Sequence, residues 1–186
     1  MPKVGMEPIR RAALVEATIA EIGAARSLDV TVGRIAKRAG MSPALAFHYF
    51  GGKEDMLLAA MRHIMRLYSA EVRGALSMAH TRRGRVEAIV RAGFAAQNFR
   101  PEVVAAWLNF YVLAMTSEGA ARLLSIYRRR LRSNLVHALR GMSVDPVLVA
   151  DRIAALIDGL YLRSALGGET AEQATCHVLA LIDREV

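Results

Sequence analysis

The chain has a single cysteine, Cys176, among its 186 residues, so no intrachain disulfide can form and a reducing, cytoplasmic setting is expected. The opening segment MPKVGMEPIRR lacks the apolar run of a secretory leader. The most apolar stretch, Val103 to Met115, is interrupted by Asn109 and is too short to span a bilayer comfortably. It reads as a buried helix, and no membrane partner is expected. The histidines, His48, His63, His80, His137 and His177, include no i,i+4 pair and no His-Glu-x-x-His arrangement for zinc. A Gly-x-Ser-x-Gly elbow and a phosphate-cradling Gly-rich loop are missing too. No catalytic residue, metal or cofactor is therefore assigned, and an enzyme is not expected. Strand-like alternation is sustained nowhere, which leaves an all-α chain.

What is present begins with apolar residues, at 54% of the total, above the usual level for a soluble domain. Much of the excess is Ala, Leu, Val and Ile at helical spacing, more apolar surface than one chain can bury, so a homo-oligomer is expected. The formal charge is +8. Residues 1–66 hold ten basic side chains against six acidic ones, so half of the excess lies in about a third of the chain. A nucleic-acid partner fits this balance, as do solubility and an anionic membrane surface.

The most informative stretch is Thr31 to Leu57, TVGRIAKRAGMSPALAFHYFGGKEDML. Thr31 is placed as an N-cap, with Ile35, Ala36 and Ala39 on one face and Arg34, Lys37 and Arg38 on the other. Gly40 stops this helix, Ser42 caps the next, and Pro43 is pre-set for its first position. That is helix-turn-helix grammar. On the second helix Ala46 and Phe50 face inward, which leaves Ser42, Ala44, Leu45, Phe47, His48 and Tyr49 at or near the surface. A short core helix with rings packed inward would show the same residues. The basic preceding helix, the small side chains and Lys53 beyond Gly51-Gly52 favour a surface for phosphates and base edges. Thr31, Ser42, Pro43, Ala44, Leu45, Phe47, His48, Tyr49 and Lys53 form the candidate DNA-binding set.

Around this unit a first helix is expected from about Pro8 to Ala25. Lys3, Arg10 and Arg11 at its start can touch a DNA backbone or stand as a solvated basic end. After Gly52 a long helix carries Met56, Leu57, Ala60, Met61, Ile64, Leu67, Tyr68 and Val72 at helical period. No Gly/Ser-rich linker follows, so coupled rather than tethered parts are expected. Further helices are expected over Arg83 to Asn98, Pro101 to Met115, Glu118 to Arg140, Pro146 to Leu166 and Ala171 to Arg184, with Asp145 and a Thr170/Gln173 capping box among the signals. The boundary is placed at 53, with a helix-turn-helix DNA-binding domain over 1–53 and a helical ligand-binding and dimerisation domain over 54–186. Arg128, Arg129, Arg130 and Arg132 spread around their helix and are given no function.

Two stretches point to a pocket. In AAWLNFYVLAM, Trp107, Phe110, Tyr111 and Met115 share much of one face, and they are either a wall for a flat or cationic molecule or ordinary core. In LIDGLYLRSAL, Asp158 interrupts an apolar helix with Tyr161 one turn on. A buried carboxylate needs a partner: a ligand cation, Arg163 or a residue of another subunit. The stripe Ile153, Leu156, Ile157 and Leu160, with Val178, Leu179, Leu181 and Ile182 in the last helix, equally suits a four-helix interface between two chains.

Thr31 to Leu57 resembles the DNA-binding signature of the TetR family, an aromatic-rich recognition helix followed by a lysine. FHYF, AWLNFY, RSNLV and AALIDGLYLRSAL, with MPKVGMEPIRR, are similar to its subgroup of choline-responsive repressors of the glycine-betaine synthesis genes. The resemblance runs from end to end. It implies a homodimeric cytoplasmic repressor with a three-helix DNA-binding end and a six-helix remainder, dimerising through the last two helices, binding double-stranded operator DNA and relieved by choline. By position it puts Phe47, His48 and Tyr49 among the recognition-helix rings, Lys53 on a phosphate and Phe50 inside. Trp107, Phe110 and Tyr111, with Asp158 or Tyr161, become the candidate choline enclosure. A TetR-family repressor answering another hydrophobic or cationic compound, such as an efflux substrate, is the alternative. A helical enzyme or membrane-surface protein is a remote one.

Overall fold

The computed structural model describes residues 5–186, and among them it has nine helices and no β-strand. They are α1 (Met6–Ala25), α2 (Val32–Arg38), α3 (Pro43–Phe50), α4 (Lys53–Met78), α5 (Arg82–Gly93), α6 (Pro101–Leu113), α7 (Glu118–Leu139), α8 (Pro146–Ala165) and α9 (Ala171–Glu185). Side-chain caps set the starts that the sequence marks. Thr31 Oγ1 accepts from the Arg34 N–H at 3.2 Å, Ser42 Oγ from the Leu45 N–H at 3.2 Å, and Asp145 Oδ1 from the Leu148 N–H at 3.0 Å. Thr170 and Gln173 close a reciprocal capping box. Each such bond satisfies an amide that the helix itself leaves open, a contribution of about 1 kcal/mol. Between α2 and α3 the chain turns through Gly40 at φ 67°, a left-handed conformation that glycine adopts without a Cβ clash.

The helix expected to run on to Asn98 ends at Gly93 instead. Its last carbonyls are claimed by side chains: Asn98 Nδ2 donates to the Ala92 oxygen at 2.8 Å, and the Tyr161 hydroxyl donates to the Gly93 oxygen at 2.5 Å. With those acceptors satisfied from outside, the helix ends without exposing unpaired groups. Phe94, Phe99 and Tyr161 then stack as one aromatic group with centroids 5.1–5.8 Å apart.

Helices α1, α2 and α3 close around Leu14, Ile19, Ile35, Ala36 and Ala46, all buried. Helix α1 also lies against α6 so closely that a Cβ at Gly23 would stand 2.7 Å from the Glu102 Cα. The 26 residues of α4 span about 39 Å, packing on α1 at one end and along α5 and α7 beyond. Its first turn is held by a residue distant in sequence: Ser117 Oγ, at the start of α7, donates to Glu54 Oε1 at 2.6 Å. Beside it Gly119 admits Leu58, whose Cδ1 would be 2.9 Å from an added Cβ.

The apolar stripes assigned to a dimer contact are mostly inside the chain. Ile153, Ile157 and Leu160 of α8 and Val178 and Ile182 of α9 are buried in the protein's own core, because α8 packs on α6 and α7 as well as on α9. The outward face of α8 is a different set, Ala155, Gly159 and Leu162, continued by Leu166 just past its end, at helical spacing. Leu162 is 50% and Leu166 80% exposed. On α9, Cys176 and Ala180 are exposed, with Leu179 and Leu181 half-buried.

Candidate functional site

Two regions carry chemistry, and the first is the face of α3. Pro43, Ala44, Phe47 and His48 are exposed, Phe47 by 48%. Leu45 and Tyr49 are half-buried, as is Lys53 at the first position of α4. The side-chain oxygens of Thr31 and Ser42 are engaged as caps, so each offers a ligand only its remaining donor and acceptor capacity. Ala46 faces inward as expected, and Phe50 is half-buried beneath the Arg11 guanidinium, 4.6 Å from its ring centre.

Arg11 also donates to the Tyr49 carbonyl at 2.5 Å. It is therefore a brace on the C-terminus of α3, where carbonyls and the helix dipole favour a cation. Its place in the sequence suggests a phosphate contact or a solvated end instead. Lys3 lies outside the described residues. Two of the three cations on α2 are likewise turned to an internal partner: Arg38 Nε lies 2.5 Å and Arg34 Nη2 2.9 Å from the buried Glu21 carboxylate of α1. The hydrogen bond from Arg38 is the main reason Glu21 titrates below the ordinary carboxylate value, with the Arg34 charge assisting against the cost of burial. Lys37 is exposed and makes no ion pair among the described residues.

The second region lies between α4, α6, α7 and α8. The Tyr111 hydroxyl donates to Asp158 Oδ1 at 2.7 Å. Of the partners considered for Asp158, Arg163 is engaged elsewhere, 3.0 Å from Glu169. The rings assemble around this pair. Trp107 and Tyr127 have centroids 4.5 Å apart, Trp107 and Tyr111 6.2 Å, and Tyr68 meets Tyr127 edge-on at 5.8 Å. Phe110, 1% exposed, backs Trp107 edge-on at 6.3 Å. The Tyr161 hydroxyl is committed to the Gly93 carbonyl and its ring packs on Phe94 and Phe99, so its contacts tie it to the end of α5.

Burial dominates the electrostatics here. It raises Asp158 above the ordinary aspartate value, against the lowering effects of the Tyr111 hydroxyl and the Arg128 charge. It also raises the phenols of Tyr68, Tyr111, Tyr127 and Tyr161, which stay neutral donors at any physiological pH. Tyr68 and Tyr127 nevertheless keep accessible surface and border a cleft of about 310 Å³ between α4 and α7. One carboxylate beside a group of neutral rings is a setting for a soft cation. Tyr68 and Tyr127 belong to this enclosure and were missed from sequence. Tyr68 sits at an apolar position of the α4 repeat, and Tyr127 is masked by the arginines that follow it.

Comparison with known proteins bears on both regions. Residues 14–60 match the family described as bacterial regulatory proteins, tetR family, and residues 82–186 match the BetI-type transcriptional repressor C-terminal family. The chain is 48% identical over 185 residues to the HTH-type transcriptional regulator BetI of Brucella anthropi, covering 98% of this chain and 94% of that one. It is 51% identical over 168 residues to the BetI of Rhizobium meliloti, covering 89% and 83%. Among solved structures, a transcriptional regulator from Saccharomonospora viridis in complex with choline shares the fold, with a TM-score of 0.85 and 22% identity over 93% of this chain and 95% of that one.

Proposed function

Because the chain belongs to the TetR family of bacterial regulators and carries a BetI-type repressor domain, we propose that it is a homodimeric repressor of choline-to-glycine-betaine genes whose hold on operator DNA is relieved by choline. The DNA-binding part is residues 1–53, with the remainder binding effector and partner. Phe47, His48 and Tyr49 of α3 meet the operator, with Pro43, Ala44 and Leu45 approaching its backbone and methyl groups and Lys53 on a phosphate. The α3 face has few base-reading donors, so DNA shape carries part of the selection.

The observation that carries the effector assignment is Asp158, a half-buried carboxylate held by the Tyr111 hydroxyl beside the ring group of Trp107, Tyr111 and Tyr127, with Tyr68 at the cleft. Choline is a quaternary ammonium with no N–H donor. Ring faces and one diffuse negative charge suit it better than a directional salt bridge. The choline-bound regulator from S. viridis is built on the same fold. Relief of repression needs choline to favour the DNA-incompetent arrangement, by about 10⁴-fold for a near-complete switch.

Asp158→Asn keeps the shape of the site and an acceptor for Tyr111 while removing the charge. Choline affinity of the operator-free variant, measured by calorimetry, is expected to fall at least about tenfold. An unchanged affinity would remove Asp158 from the site. No choline binding by the unaltered protein would reject the effector assignment.

A further inference from the structure

Arg128 follows Tyr127 on α7. Its guanidinium lies over the Tyr111 ring, 5.4 Å from the centre, and Tyr111 is the residue whose hydroxyl holds Asp158. Arg128 is also the cation whose charge acts on Asp158. Other arginines nearby are fixed in ion pairs: Arg132, one turn on, to Asp151 at 2.7 Å and Arg163 to Glu169 at 3.0 Å. Arg128 forms no ion pair of that kind among the described residues. It is held by a ring face and by attraction to a carboxylate beyond it, and it is exposed on its other side. There it borders an open groove of about 520 Å³ lined by Ser125, Arg129 and Arg132.

We propose that Arg128 is a built-in competitor for the effector: its guanidinium takes the electrostatic place of a quaternary ammonium at the Tyr111–Asp158 pair, and effector binding is an exchange that sends it into the outer groove. This rests on the choline reading above and adds to it the residue that sets the affinity. A guanidinium over a tyrosine face and near a carboxylate draws on the same two attractions as a bound ammonium. The charge balance supports exchange. With Arg128 in place the empty site is neutral, with choline in its stead it is neutral again, and with both cations it carries an uncompensated positive charge in surroundings that solvate charge poorly. Arg128 and Asp158 make no direct ion pair among the described residues, so no short bond between the two charges has to break in the exchange. The affinity for choline is accordingly lower than the aromatic enclosure alone would give.

The test uses the full-length protein without DNA and reads choline binding by calorimetry and by the fluorescence of Trp107, the single tryptophan. Arg128→Gln and Arg128→Met are each expected to bind choline about three- to tenfold more tightly than the unaltered protein, the size of a like charge about 10 Å away at an effective dielectric near 20, reduced by solvent screening. Arg128→Lys, which keeps the charge but not the planar stack, is expected to fall between. In the Asp158→Asn background the gain from Arg128→Gln is expected to shrink, because the two residues act on each other. Equal or weaker choline binding by both neutral variants would overturn the exchange while leaving the choline reading intact. Failure of choline to bind the unaltered protein and the Arg128 variants alike would overturn both.

Discussion

Glu21 and Asp158 are both enclosed carboxylates, and their surroundings push them in opposite directions. Arg38 and Arg34 hold Glu21 below its ordinary value, so the stability it confers is present above the ordinary carboxylate range and is lost as pH falls through the folded value. Glu21→Gln is expected to lower stability at pH 7 by about 1–3 kcal/mol, read as the urea midpoint, and to flatten the loss of stability on acidification below about pH 4.5. Burial raises Asp158 instead, so its contribution is lost as pH rises through the folded value. Asp158→Asn should therefore raise the melting temperature of the effector-free protein at neutral pH, even as it weakens choline. Choline affinity in the unaltered protein should decline on acidification from a higher pH than an ordinary aspartate would give, because binding needs the ionised form. At the DNA end, Lys53→Ala should weaken binding to all sequences and reduce the salt slope by about one; an unchanged slope would take Lys53 off the phosphate. Single residues were the least legible scale. The spacing of α2 correctly put Arg34 and Arg38 opposite its apolar face, but Glu21 lies on another helix, so their pairing waited on the packing of α1 against α2. Arg11 turned out to brace α3 for the same reason.

Helices were far easier to read than side chains, because caps and turn residues act within a few positions of themselves. Thr31, Ser42, Asp145 and Thr170 each start the helix that their spacing announces. The end of α5 was not readable, since it depends on Asn98 and on Tyr161, which comes from α8. The tyrosines of the enclosure were missed on similar grounds: Tyr127 meets Trp107 only after α6 and α7 have packed. The contact of α1 with α6 is another element-level property invisible to local pattern. Gly23 is helical, and alanine is ordinarily the better helix former by up to about 1 kcal/mol. Here a Cβ would press on the backbone and side chain of Glu102, so Gly23→Ala is expected to destabilise by roughly 1–3 kcal/mol through overpacking. A higher melting temperature for that variant would show that α1 and α6 can separate at little cost.

For the molecule as a whole, composition indicated an apolar surplus, and part of that surplus sits on the outer side of α8 at Leu162 and, just past its end, Leu166. The stripe picked out in the sequence was an inner one because periodicity marks an apolar face without saying what covers it. Pairing two copies through the outer faces of α8 and α9 would fix the separation of two α3 helices, which a two-fold operator needs. Leu162→Glu is expected to convert the dimer to monomer in sedimentation analysis and to weaken operator binding with it; a stable dimer in that variant would move the interface elsewhere. One more property follows from Ser117, whose hydroxyl ties the start of α7 to the first turn of α4. Connections between helices generally tolerate inserted residues. The short connection at 114–117 lacks that freedom, because Ser117 both starts α7 and reaches Glu54, while Tyr111 lies just upstream. A single extra residue there would leave the α3 face and the aromatic enclosure chemically whole yet pull the serine out of register. The expected product is a deaf repressor, one whose operator affinity, measured with and without choline, no longer changes.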